Sequence, residues 1–514
     1  MSSWTSGYVA DIEYTSGFYR ELAPSYLYFV LLSQKLRSPP IGPGTTYCEL
    51  GCGQGFGTAL LAAANPQARF WGFDFNPTQI ASARRLAADA GLTNVTFEDY
   101  SFEQAAALPF DALPQFDVIT LHGIYSWISP ENRRFIVEFL DKRLKPGGLV
   151  YVSYNCLPGW SGIAPLQRLM REHANRYPDR SDLQAEAAVK FAGRLKSGGA
   201  AYFAQNPASG PRMEKLPSMN SNYLAHEYLN CDWHPFYHLD VAREMEAARL
   251  AYAASATLAE NIDAVSIPAD LLPLLAETRD RGWQETIRDY ASNKQFRRDL
   301  FMRGAPPLAA LEQGRFLGEM RFGLMVPRAA VSFKFRGPIG EFTGQEEIYG
   351  PIADALAQRP HTLTELTQLP AMSGRSAAAL LQAALFLVHS GQAHPLPYDP
   401  RGKGGDVARA FNRAVAGRIR IGQQLNFLAA PAAGTGIGVS YVELVAVLAL
   451  LENPKVTPQQ AAQFGWSIMA QTGQRLVKAG QTLQSQTETM PELEAQLVAF
   501  WTEKLPVWRM LGVV

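Results

Sequence analysis

The residues with the most chemical potential form one run, Glu49-Leu50-Gly51-Cys52-Gly53-Gln54-Gly55-Phe56-Gly57. Its closely spaced glycines let the backbone turn tightly and approach a ligand. The run follows a short apolar stretch, Thr46–Leu50, and precedes an Ala-rich helical stretch, Thr58–Ala64. A triphosphate loop would need a lysine followed by Ser or Thr after its last glycine. Here Thr58 follows Gly57 with no lysine. A dinucleotide-type site is compatible with the spacing of Gly51, Gly53 and a third small residue. Carboxylates recur at the next strand ends. Asp74 closes Arg69–Phe73, where it can accept both hydroxyls of a ribose, with Phe75 and Asn76 beside it. Asp99 closes Asn94–Glu98 and leads into Tyr100 and Ser101. A further strand, Phe116–Leu121, ends in His122-Gly123-Ile124-Tyr125-Ser126-Trp127. The plain alternatives are a strand-end cap for Asp74, a solvated loop residue for Asp99 and a hydrogen-bonded structural role for His122. Tyr125 and Trp127 would then be ordinary core.

These residues need a scaffold that brings strand ends together. Residues 46–155 alternate strand and helix: helices at Thr78–Ala90 and Glu131–Leu140, a turn at Lys145–Gly148, a strand at Leu149–Ser153. Such alternation predicts a parallel sheet with right-handed crossovers. The fold class is therefore α/β: a Rossmann-like domain with a mainly parallel sheet, a helical insertion and mostly helical C-terminal domains. Residues 1–40 are aromatic-rich and read as an N-terminal helical lid. Residues 41–155 form the ligand-binding domain, completed by 236–305. Residues 156–235 are a helical insertion, a dimerisation element or a cap over the acceptor. Residues 236–340 read as a middle domain, with a separate domain there as the alternative. Residues 341–400 read as a winged-helix-like module, with N-cap signals at Thr362 and Thr364. Residues 401–514 are mostly helical, interrupted at Ala429–Gly438. Arg297 and Arg298 fall with Lys294 and Arg303 in a stretch read as a helix with a basic face.

Composition narrows the partners. The chain has 514 residues, 47% hydrophobic and 18% charged, enough for several cores. Forty-seven basic and 47 acidic residues leave a formal net charge of zero. That argues against a chain built to coat nucleic acid. Between Thr362 and His389 only Arg375 is basic, so the winged-helix-like module is expected to dock a peptide or subunit rather than DNA. No run of 18 apolar residues occurs, so no spanning helix is expected. The N-terminus carries Asp11 and Glu13 and reads as no signal peptide. Four cysteines without metal-type spacing fit a cytoplasmic setting and no metal site.

The acidic residue ahead of the loop decides among the ligand readings. Glu49 with Gly51, Gly53 and Gly55 resembles the E-x-G-x-G-x-G motif of class I S-adenosylmethionine-dependent methyltransferases. The resemblance narrows further on Tyr14 to Pro24, Leu121–Trp127, Ser153 to Trp160, Tyr228-Leu229-Asn230, Trp233 to Phe236, and Arg288 to Phe301. These are similar to methyltransferases carrying a methyltransferase regulatory domain, including bacterial lysine methyltransferases acting on outer-membrane proteins. The resemblance implies S-adenosylmethionine as cofactor, S-adenosylhomocysteine as product, a protein or peptide acceptor, a homodimer and an open central cavity. It implies cofactor contacts from Tyr14, Tyr19, Arg20, Glu49, Gly51, Gly53, Gln54, Gly55, Asp74, Phe75, Asn76, Asp99, Tyr100, Ser101 and His122, with Arg20 pairing the cofactor carboxylate. Tyr125, Trp127, Asn155 and His234 are the acceptor-pocket candidates. The Asn/Asp-Pro-Pro-aromatic signature of adenine and glutamine N-methylation is absent after Leu121. A small molecule or glycan is the alternative acceptor; a cofactor-binding regulator without turnover is the alternative class.

Overall fold

The computed structural model describes residues 7–9, 11, 12, 17–39, 41–399 and 403–514. Seven strands form one sheet: β1 (Thr46–Leu50), β2 (Arg69–Phe73), β3 (Val95–Glu98), β4 (Phe116–Leu121), β5 (Leu144–Asn155), β6 (Ala251–Ser255) and β7 (Phe296–Met302). Their order is β3-β2-β1-β4-β5-β7-β6. Pairing is parallel from β3 to β5, and β7 runs antiparallel to both β5 and β6. Every residue of β1 and β4 is buried. That is what a parallel sheet covered on both faces requires. The order reverses between β1 and β4, and a crevice opens there at the strand C-termini.

The covering helices begin with α1 (Pro24–Ser33), α2 (Phe56–Ala64), α3 (Pro77–Asp89), α4 (Phe102–Ala107) and α5 (Pro130–Arg143). The insertion follows as α6 (Ala164–Arg176), α7 (Ser181–Ser197), α8 (Ala201–Gln205), α9 (Ser209–Lys215) and α10 (Ser221–Tyr228). It packs around its own apolar cluster, centred on Trp160, Leu166, Met170 and Tyr228. The chain then returns through α11 (His238–Glu246) to lay β6 and β7 on the sheet edge.

Two local expectations are corrected. Lys145–Gly148 lies within β5 rather than in a turn before it. Phe116 pairs with Leu144 while Val118 pairs with Leu149, so the extra residues are absorbed as an irregularity inside the strand. Arg297 and Arg298 lie on β7, not on a helix. Alternation decides their fates, because neighbouring strand residues face opposite sides. Arg297 and Asp299 share one face and are both buried. Arg298 points the other way, into a central cavity.

The C-terminal third is helical but not separate. Ala429–Gly438 is largely a hairpin, Phe427–Ala430 with Thr435–Gly438. Asn65 Nδ2 donates to Gly434 O at 2.9 Å and Ser25 Oγ to Ala433 O at 2.7 Å, fixing the hairpin to the sheet domain. Between Arg321 and Pro395, three helices accompany a three-stranded antiparallel sheet. Thr362 caps its helix reciprocally with Glu365. Thr364 lies inside that helix. Among the described residues no helix is long and apolar enough to cross a membrane.

Candidate functional site

The glycine loop turns back on itself at the reversal point. Gly51, Gly53 and Gly55 have φ of +71°, +55° and +67°, in the left-handed region that side chains avoid. Gly51 N and Cys52 N both donate to Phe73 O, at 2.7 and 3.0 Å, which ties the loop to the end of β2. A Cβ on Gly55 would lie 2.5 Å from Ala83 Cβ and 2.7 Å from the Phe97 ring. Only glycine lets α2 begin there.

A cavity of about 190 Å³ lies over this loop. Glu49, Gly51, Gly53, Gln54, Asp74, Phe75, Tyr100, Ser101, His122, Trp127 and Tyr19 line it, as does Tyr8. Asp74 Oδ2 accepts from Gly53 N at 2.9 Å and Oδ1 from Asn76 N at 3.0 Å. Burial raises the Asp74 pKa and those two backbone N–H groups pull it back. Burial pushes Glu49 up to about 7, against a hydrogen bond from Thr58 and with a further push from Asp74. His122 Nδ1 pairs with Tyr151 OH at 2.9 Å, and its ring lies 3.7 Å from that of Tyr19. Burial, then Arg298, holds His122 down at about 3, so the imidazole is neutral at physiological pH.

The remaining candidates fall elsewhere. Asp99 is exposed, its carboxylate 3.9 Å from Arg84, and does not line the cavity. Asn76 caps α3 by accepting from Thr78 N and stays outside the lining, as Gly55 does. Arg20 donates to Val388 O and His389 O at the end of the helix Ala377–His389. Its guanidinium is therefore engaged by two carbonyls, with Nε 3.9 Å from the Glu21 carboxylate, and it does not line this cavity. Tyr14 lies outside the described residues.

On the acceptor side, Trp127 lines the cavity and Tyr125 does not. Tyr125 is fully buried, donates to Glu244, and packs against Phe236 and the Arg133 guanidinium. Tyr125→Phe is thus expected to cost about 1–2 kcal/mol of stability, the worth of one such hydrogen bond, and to leave cofactor affinity unchanged. Urea unfolding beside calorimetry checks it; weakened cofactor binding at unchanged stability would return Tyr125 to the pocket. The His234 ring is half-exposed, 3.6 Å from Asp232, and does not line the cavity, although Asp232 does. Asn155 is buried at the end of β5, its N–H donating to Ser126 Oγ at 2.8 Å. The sequence reading passed over Glu227, which is nearly buried on α10. A single glutamate within a helix carries no sequence signal.

A second cavity, of about 430 Å³, shares the lining residues Phe18 and Tyr19 with the first. Arg20, Glu21, Arg298, His394 and Lys504 line it, so sheet domain, middle segment and C-terminal third all contribute.

A carboxylate at the end of β2, a second before the loop, aromatic faces and backbone N–H groups match the hydroxyls, ammonium and base of a nucleoside amino acid such as S-adenosylmethionine. The comparisons agree. Residues 41–195 match the family model described as a methyltransferase domain. Residues 220–303 match the one described as a predicted methyltransferase regulatory domain. The chain is similar to uncharacterized protein sll1526 of Synechocystis, 40% identical over 99% of this chain and 100% of that one. It is also similar to the trans-aconitate 2-methyltransferase of Methylobacterium nodulans, 30% identical over 29% of this chain and 52% of that one. In fold it is similar to PKMT2 from Rickettsia typhi in complex with AdoHcy, with a TM-score of 0.70 at 19% identity over 97% and 99% of the two chains. A loop, a sheet order and two domain models thus converge: the chain belongs to the class I S-adenosylmethionine-dependent methyltransferases that carry a methyltransferase regulatory domain.

Proposed function

We propose that this methyltransferase acts on lysine amines of protein chains, with bacterial surface or outer-membrane proteins as the acceptor class and the cytoplasm as its location. The observation that supports this most is that the two cavities share Phe18 and Tyr19 in their walls. A long, unbranched side chain presented from the second cavity would reach the cofactor cleft past these two rings, while its backbone stays outside. Bound S-adenosylmethionine supplies a methyl group already activated on a sulfonium. The protein's task is to hold the nucleophile in line, exclude water and deliver the amine uncharged. Tyr19 and His122, neutral and tilted against each other, form the wall that lowers the amine's proton affinity by desolvation.

In this reading Asp74 receives the ribose hydroxyls, while Phe75, Tyr100 and Ser101 surround the base. Glu49 and the glycine loop hold the amino-acid end. Asp74→Ala is expected to weaken S-adenosylmethionine binding by about 1–3 kcal/mol, read by calorimetry; unchanged affinity sinks the ribose role. Residues 341–400 serve as a winged-helix-like docking module, and 156–235 as an acceptor cap or dimer contact. Light scattering that finds only monomer removes the dimer. The acceptor itself is tested by incubating the protein with methyl-labelled S-adenosylmethionine and fractionated bacterial extract. Label on lysines of envelope proteins supports the reading; label confined to small molecules or glycans overturns it.

A further inference from the structure

The cavity of about 430 Å³ holds one cation without a counter-charge. Arg298 lines it from β7, on the face of the sheet opposite to Arg297. Its Nη1 makes only a long contact, 3.4 Å, to Thr257 Oγ1, and its guanidinium stands over the Phe296 ring at 5.2 Å. Its Nε is buried without a hydrogen-bond partner. Among the described residues no carboxylate forms an ion pair with it. A charged donor left unfilled in a sheltered place favours an acceptor from elsewhere.

The other charged groups around the cavity are already matched. Arg20 is engaged by Val388 O and His389 O, and its Nε lies 3.9 Å from Glu21. Lys504 pairs with Glu443. His394 meets Ser25 Oγ at 3.0 Å, and burial, then Arg20, holds it down at about 3, so it is neutral. Two acids act on Arg298 from further off, Glu21 and Glu260. The first faces Arg20; the second pairs with Lys294 and accepts from Ser255 Oγ at 2.7 Å. One unmatched guanidinium is left, in a cavity otherwise walled by apolar groups such as Met325, Phe427 and Trp508.

That arrangement suits a single negative charge. The planar fork of a guanidinium takes both oxygens of a carboxylate. A phosphate dianion would call for a second free cation, and the others in the lining are engaged. The position points to the carrier. Arg298 shares its cavity with Tyr19, whose ring also walls the cofactor cavity and lies 3.7 Å from that of His122. On the sheet Arg298 stands opposite Ser153, whose Oγ accepts from Gly123 N at 2.9 Å, one residue beyond His122. A carboxylate held at Arg298 would thus lie across Tyr19 from the cofactor, on the side from which an acceptor chain arrives.

We infer that Arg298 is a carboxylate-binding subsite that reads an acidic side chain close to the acceptor lysine. This rests on the lysine reading above. The test uses the full chain saturated with S-adenosylhomocysteine and two blocked peptides with a central lysine. Glutamates flank the lysine on both sides in one peptide, glutamines in the other. Calorimetry on the wild type is expected to show the glutamate peptide binding about tenfold more tightly, the worth of one charged hydrogen-bonded pair. Arg298→Met should bind both peptides alike, at the level of the wild type with the glutamine peptide. S-adenosylhomocysteine affinity within about twofold of wild type shows that the variant is folded. Should it fail that check, Arg298→Gln takes its place. A wild type that does not distinguish the peptides, or a folded variant that keeps the preference, overturns the inference. Methyl-labelled S-adenosylmethionine tests the lysine reading separately. Label on the peptide lysine without a glutamate preference upholds that reading and overturns the subsite. An Arg298-dependent preference without label upholds the subsite and overturns the lysine reading.

Discussion

Arg297→Met is expected to lower stability by about 3–5 kcal/mol at pH 7, the range seen when one partner of a buried ion pair is removed. The guanidinium, 2% exposed, is the cation of a closed network. Its Nε donates to both Asp299 oxygens at 2.9 Å, Nη1 to Asp289 at 2.6 Å and Nη2 to Glu285 at 2.7 Å. Tyr154 OH and His238 Nδ1 complete Asp299, at 2.5 and 2.9 Å. Methionine would fill the volume and leave three carboxylates facing one another. In the native protein Arg297 and His238 outweigh burial and hold Asp299 down at about 2. That depressed value stabilises the fold above the unfolded carboxylate pKa, and the contribution fades as pH falls toward 2. Burial dominates at Asp289, raised to about 6, with the opposite sign: its contribution is present below the unfolded pKa and is lost as pH rises through 6. Without the arginine every carboxylate would follow the second pattern. The deficit should therefore shrink between pH 7 and pH 4. Urea midpoints at the two pH values measure it; an equal deficit at both would mean that lost packing, not uncompensated charge, sets the cost.

Gly55→Ala should weaken S-adenosylmethionine binding by about 2–4 kcal/mol, at least about 30-fold in Kd. Left-handed backbone costs an alanine about 1–2 kcal/mol. The added methyl also meets Ala83 Cβ, which is held rigidly by the α3 backbone and cannot rotate away. Overpacking of that kind costs about 1–3 kcal/mol. Gly55 touches no part of the cavity, so the loss would come from a displaced loop rather than a lost contact. Calorimetry against Gly53→Ala, whose Cβ meets only Gln79 Oε1 at 3.4 Å, separates the two causes. Equal losses in both variants would point to backbone strain alone.

What could be read beforehand was local. The glycine loop, Asp74 and the alternating elements are short-range patterns, because strand, turn and helix are dictated within a few residues. What failed was whatever depends on distant chain. Arg20 meets carbonyls of residues 388 and 389, and nothing near residue 20 announces them. Tyr125 and Trp127 stand two apart in one tight turn, and only the folded chain decides which faces the cavity. The four basic residues between Lys294 and Arg303 looked like one helical face. The two-residue period of Phe296–Met302 instead sends Arg297 and Arg298 to opposite sides of a sheet. Asp99 sits where a ligand carboxylate belongs in sequence, and like Asp74 it stands one residue past a strand end, yet it is exposed beside Arg84.

The sheet's last two strands have a consequence for how the molecule is made. β5 ends at Asn155, but its edge partner β7 begins at Phe296. During synthesis the edge of β5 therefore waits while the whole insertion leaves the ribosome. Pairing at such separation is slow, and an open edge invites wrong partners meanwhile. The insertion has its own apolar cluster and can collapse in that interval. The stretch matched as a methyltransferase domain stops at residue 195, before either closing strand. A chain cut there would present β5 unpaired and should aggregate, so the nascent enzyme becomes competent only after the regulatory segment has emerged.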